Sequence, residues 1–222
     1  MGAWPFSLGA KPDNAGRQKV RKVLDEILEF ASTGGNSSFL GLAKEHYFGK
    51  VGGVYEDDSD FEQRMNTFLE WFVFDFRSET MGSDTVFTMY INENRDRFSS
   101  EEMVSRMTIS KHLHSVFAVK GLKEGMIKVK DLAGGESFWV TDDEIFEKGD
   151  LFETRIIAAG NSHFFSYTYC LHPKSAEKLI KNAFKKRHSV GFGPDFFVRL
   201  HAMQLKWRRS RQIEVKDIYN FQ

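Results

Sequence analysis

The sequence predicts an α+β fold: a helical N-terminal part, a small five-stranded barrel-like β unit and a C-terminal helical pair. Three observations carry this. Apolar residues recur at i, i+3 and i+4 from Asn14 to about Ile109. From Ser115 the period changes to strict alternation. After His172-Pro173 the helical spacing returns. The expected division is a flexible aromatic tail over 1–13, a helical region over 14–112, a small β unit over 113–172 and basic C-terminal helices over 173–222. At 222 residues, with 22 Phe among its aromatics, the chain has the length and the bulky side chains for a sizeable core.

Taken in order, Val20, Val23, Leu24, Ile27, Leu28 and Ala31 mark a first helix that Gly34-Gly35 ends. A short second helix is expected from Ser37 to Phe48. The third follows a capping box, Ser59 with Glu62, and Asp57, Asp58 and Asp60 complement its N-terminal dipole. Its apolar face is Phe61, Met65, Phe68, Leu69, Phe72 and Phe76. Two more helices are expected near Asp84–Asp96 and Ser100–Ile109, the latter with its own capping box at Ser99-x-x-Glu102.

Five strands follow: Val116–Lys120, Met126–Leu132, Ser137–Thr141, Leu151–Ala158 and Phe164–Cys170. Lys123-Glu-Gly125, Gly134-Gly135, Lys148-Gly-Asp150 and Gly160-Asn161 supply the turns. Five strands in so short a span suit a small barrel or a strongly curled sheet. Helices over Lys174–Arg187 and Asp195–Arg211 flank the breaker Gly191-Phe-Gly-Pro194, and Phe196, Leu200, Met203 and Trp207 form one stripe on the last of them.

Phe68-Leu-Glu-Trp-Phe-Val-Phe-Asp75 resembles a helix of the form WFxFD found in a loose set of uncharacterised bacterial proteins. In that set a second helix like Thr85–Asn94 comes next, then a segment similar to His114-Ser-Val-Phe-Ala-Val119 that leads into a small β unit. Val129-Lys-Asp-Leu132 and Lys148-Gly-Asp-Leu151 continue the likeness, which covers roughly residues 60–170. Some members carry a cysteine-rich SEC-C zinc tail. This chain has a single cysteine, so the resemblance implies an architecture and no zinc function.

The charge sums to zero but is unevenly placed. From His172 onward there are twelve Lys/Arg against four Asp/Glu, a net +8, which leaves −8 on residues 1–171. A basic surface of this kind meets nucleic acid, an acidic partner or the chain's own acidic part. The candidate basic face is Lys185, Lys186, Arg187, Arg199, Lys206, Arg208, Arg209 and Arg211, with Trp4 and Phe6 as a candidate docking peptide. Lys and Arg stems lying over apolar surface give the same pattern on any amphipathic helix.

Other constellations weaken on inspection. Gly191-Phe-Gly-Pro194 lacks a backbone donor at Pro194 and places Asp195 where an anion would sit. His112-x-His114, with His163 or His172, offers metal ligands, but no partnering carboxylate can be located in the sequence, so no metal and no cofactor are assigned. Cys170 and His172 share a strand face, yet a lone cysteine in an apolar strand reads first as a small buried hydrophobe. Asp142-Asp-Glu144 reads as a solvated loop.

No nucleophile, base and orienting group converge in the sequence. The expected function is therefore non-enzymatic: an intracellular adaptor or regulatory protein that binds another protein, the alternative being nucleic-acid binding by the basic helices. No apolar run approaches the roughly 18 residues of a membrane span, and Met1 to Ser7 lacks the pattern of a signal peptide. Together with the unpaired Cys170, these features predict a cytoplasmic location.

Overall fold

Strand β4 (Leu151–Ala159) is the axis of the molecule, because elements cover both of its faces and both of its edges. The computed structural model describes residues 14–33, 36–77, 82, 84–142, 146–159, 162–166, 168–187, 195–210 and 212–221. Trp4, Phe6 and the rest of 1–13 lie outside them, as do Gly34-Gly35, Gly160-Asn161, Gly191–Pro194 and Arg211.

The other strands are β1 (Leu113–Lys123), β2 (Met126–Asp131), β3 (Ser137–Thr141), β5 (Ser162–Phe165) and β6 (Cys170–His172). Antiparallel pairs join β1 to β2 and β2 to β3, and β1 also pairs with β4. A single parallel bridge, Thr141 with Phe164, links β3 to β5, and β5 returns to β4. The ring β1-β2-β3-β5-β4 is thereby closed, with β6 added along β4. The β1–β2 hairpin turns on Glu124 and Gly125, whose φ values of 50° and 73° are both left-handed. That pair of positive φ angles defines the type I′ turn that suits strand twist.

The sheet corrects one expectation. Phe164–Cys170, expected as one strand, is two, which lie end to end along the same edge of β4. Between them the chain leaves the ladder for other partners. The Thr168 amide donates to Glu70 Oε1 at 3.1 Å, and its carbonyl accepts from the Thr154 hydroxyl at 2.7 Å.

Among the described residues, five α-helices precede the sheet: α1 (Asn14–Ser32), α2 (Ser37–Val51), α3 (Phe61–Phe74), α4 (Val86–Asn94) and α5 (Ser100–Ile109). Three follow it: α6 (Glu177–Arg187), α7 (Asp195–Arg209) and the four-residue α8 (Val215–Ile218), too short to show a period in the sequence. The Ser99/Glu102 capping box forms on α5, with the Ser99 amide 2.9 Å from Glu102 and the Glu102 amide 3.2 Å from Ser99 Oγ. The expected box at Ser59 does not form. Asp60 is the N-cap of α3 and makes no side-chain cap, because its carboxylate is drawn 2.8 Å from Arg208 instead.

Alternation along the strands sorts the apolar residues into three cores. Phe117, Val119, Val129, Phe152, Ile156 and Phe165 fill the barrel. Val116, Ala118 and Leu151, on the opposite face, pack against Ile180, Phe184, Phe196 and Leu200 of α6 and α7. Further along that face, Ile157 joins the large helical core of α1 to α5. There Phe68 and Phe72 are both fully inaccessible. Truncating either to alanine leaves a ring-sized void, and we expect Phe68→Ala and Phe72→Ala each to cost about 3–5 kcal/mol. A urea midpoint matching wild type would place this face outside the core.

Candidate functional site

The outward face of β4 reads Leu151, Glu153, Arg155, Ile157, so two opposite charges stand in the middle of a strand that is buried on both sides. Neither can reach water, and each has gathered partners from elements far away in sequence. Arg155 Nη1 donates to Glu70 Oε2 of α3 at 2.9 Å, and Nη2 pairs with Asp75 Oδ2. Glu70 in turn accepts from the Ser166 hydroxyl at 3.0 Å and from the Thr168 amide. Burial works against the Arg155 charge, but Asp75 and Glu70 outweigh it and raise its pKa.

Glu153 lies one step along the same face. His114 of β1 stacks on Phe197 at 3.6 Å and sends Nε2–H to Glu153 Oε1 at 2.5 Å. His201 of α7 donates from Nε2 to the other carboxylate oxygen. Its far nitrogen, Nδ1, lies 2.7 Å from the Tyr47 hydroxyl of α2. Burial alone pushes the Glu153 carboxyl up. The charge and hydrogen bonds of His201 and His114 reverse this and hold it well below the ordinary carboxylate range.

The β4–β6 register sets Cys170 directly across from Glu153, with His172 on the same face beside Leu151. This confirms the shared strand face expected for Cys170 and His172. His172 Nδ1 faces the Tyr219 hydroxyl at 2.9 Å, while its buried Nε2 has no hydrogen-bond partner among the described residues. Leaving such an atom unsatisfied costs about 1–3 kcal/mol. Burial pulls the His172 pKa down to about 4 and pushes the Cys170 thiol well up, so at neutral pH both are uncharged. Burial also raises the Tyr47 hydroxyl well above its ordinary pKa. A small cleft of about 30 Å³ between α2, α3, α7 and β6 reaches Cys170 and His201 past Arg64 and Gln204.

Asp142, expected to be solvated, is instead buried and accepts from the Tyr169 hydroxyl at 2.8 Å. His112 does not join His114 as a ligand pair. It packs edge-on against Phe74 with ring centroids 4.5 Å apart, and burial, then Arg155 and His114, lower its pKa to about 3.

The basic residues divide between two neighbourhoods. Arg208 pairs with Asp60 at 2.8 Å and Arg209 with Asp58 at 3.5 Å, which spends the end of α7 on the acidic approach to α3. Arg199 is half-buried on α7 and Lys206 is exposed. Lys185 and Lys186 are exposed near the end of α6, which Arg187 closes. These two lysines, with Lys216, line an open groove of about 560 Å³ between α6 and the C-terminal segment, where Leu179, Tyr219 and Phe221 supply apolar surface.

Glu70, Glu153, Arg155 and His201 did not stand out in the sequence. The one signal was Glu153-Thr-Arg155 inside an otherwise apolar strand, and alternation reads that as a wet face.

The sequence model of a family of unknown function, DUF7986, matches residues 17–190. The chain belongs to this family. Its matched span contains Glu153, Cys170, His172 and the α6 lysines of this chain and stops short of α7. No curated protein and no solved structure matches the chain. Among the described residues no helix is long and apolar enough to cross a membrane.

Two outcomes are expected for the buried polar face. Glu70→Ala strips Arg155 of one of its carboxylates and leaves the Thr168 amide without its acceptor, and should cost about 3 kcal/mol or more in urea unfolding. His112 gives a pH signature. Its folded pKa of about 3 lies below the ordinary histidine value of 6.5 that the unfolded chain shows, so above pH 6.5 it contributes no pH dependence. As pH falls below 6.5 the unfolded chain takes up a proton that the folded one refuses, and stability drops by up to about 1.4 kcal/mol per pH unit. In His112→Gln the slope of unfolding free energy between pH 6 and 4 should be shallower by about one proton.

Proposed function

We propose that this member of DUF7986 is a non-enzymatic protein-binding module whose α6/C-terminal groove takes an acidic segment of a partner, anchored by an apolar side chain. The groove carries this reading: Lys185, Lys186 and Lys216, the last paired with Glu214 at 2.6 Å, line it together with Leu179 and Phe221, and among the described residues no acidic side chain lines it. Lys178, Lys181, Lys185 and Lys186 are all exposed along α6, which extends the positive potential beyond the groove. Acidic partners are steered to such a surface, and the apolar floor supplies the affinity that exposed ion pairs do not.

Charge placement favours a peptide over a nucleic acid. Tight phosphate binding needs many cations on one face. Here Arg208 and Arg209 are engaged by Asp60 and Asp58, and residues 1–171 carry a net −8 that repels a polyanion.

The test is fluorescence anisotropy with a labelled peptide of alternating Glu and Phe, beside single-stranded RNA and DNA of similar length. The peptide should bind, and Lys185→Glu with Lys186→Glu should weaken it at least about tenfold, with a shallow salt dependence reflecting only two or three charges. Submicromolar RNA or DNA binding at roughly physiological salt, lost when Arg199, Lys206 and Arg209 are changed together to Glu, would replace this reading with a nucleic-acid one.

A further inference from the structure

We propose that Glu153, Cys170 and His172 form a binding site for a divalent transition metal of the zinc class. Antiparallel pairing fixes the arrangement, because Cys170 is the cross-strand neighbour of Glu153 and His172 follows two residues later on the same face. One ligand atom from each of the three lies within 4.8 Å of the others, and all three residues are buried. Around a tetrahedral zinc ion with bonds of about 2.0–2.3 Å, such S, N and O atoms sit roughly 3.3–3.8 Å apart. Closing the difference takes movements of about an ångström.

The surroundings complete the pattern. His172 holds its ring in place through Nδ1 and Tyr219, which leaves Nε2 as the atom without a hydrogen-bond partner among the described residues. A metal-binding histidine is fixed in the same way, through its second nitrogen. Glu153 receives one imidazole on each oxygen, and each oxygen keeps a second lone pair for a metal. His114 and His201 then act as the outer shell that orients the carboxylate. The cleft between α2, α3 and α7 reaches Cys170 and gives a route toward the site from that side.

The donor set selects the metal. A thiolate and an imidazole suit zinc or cobalt, whereas calcium and magnesium need oxygen ligands throughout. On binding, the Cys170 thiol loses its proton to solvent and the S–metal bond forms. The thiolate and the Glu153 carboxylate then offset the charge of the dication, with no change of oxidation state.

Full-length protein stripped with a chelator is titrated with Co(II) and then with Zn(II). One cobalt per chain should bind, giving a thiolate-to-cobalt charge-transfer band and the strong visible bands of a tetrahedral site, and zinc should bleach both. Cys170→Ala should lose the charge-transfer band, and Tyr219→Phe, which keeps the aromatic packing, should weaken cobalt binding about tenfold. Circular dichroism establishes that each variant is folded. Wild-type protein that takes up no stoichiometric cobalt, or that binds it without a thiolate-to-cobalt charge-transfer band, would overturn the proposal without depending on the stability of any variant.

Discussion

Two opposite charges on one buried strand face organise this molecule. Once Glu153 and Arg155 are committed to the outward side of β4, every neighbouring element must supply a counter-charge or a hydrogen bond there. α3 supplies Glu70, α2 supplies Tyr47, α7 supplies His201 and β1 supplies His114. The break between β5 and β6 belongs to the same account, since Thr168 leaves the ladder to reach Glu70. An apolar pair at these positions would pack as well and select less. Burying ions in this way contributes little net stability, but it disfavours any register or docking that leaves one of them alone.

Most elements were legible because their signal is local. The apolar spacing of α1 and α3, the capping box of α5 and the turn at Glu124-Gly125 depend on residues a few positions apart. The misread features share a different trait. The Ser59 box fails because α3 starts one residue later, with Asp60 as its N-cap and that carboxylate paired with Arg208, about 150 residues away, and the fifth strand breaks where Thr168 reaches a residue on α3. Asp142 is likewise claimed by Tyr169. Each is a local rule overruled by a distant partner.

The candidate site divides along the same line. That Cys170 and His172 share a face follows from their spacing of two, which is a property of any strand. That Glu153 lies across from Cys170 depends on the register of two strands some seventeen residues apart in sequence, through a connection with its own irregularity. His201 was harder still. It interrupts the Phe196/Leu200/Met203 stripe and looks like a solvent-facing position on a helix assumed to bury one side. In fact α7 buries Phe197, His201, Gln204 and Leu205 as well, because it is wedged between the sheet and α2.

Tyr219 belongs to two places at once. The residue lines the lysine-lined groove, and its hydroxyl meets His172 on the buried face. An occupant of the groove that displaces this side chain has to break the contact with His172, and whatever fixes His172 resists that displacement by the same free energy. The C-terminal segment is thus tethered at its innermost point to the strand pair on which the interior depends. Surface and interior are joined here by a single phenol.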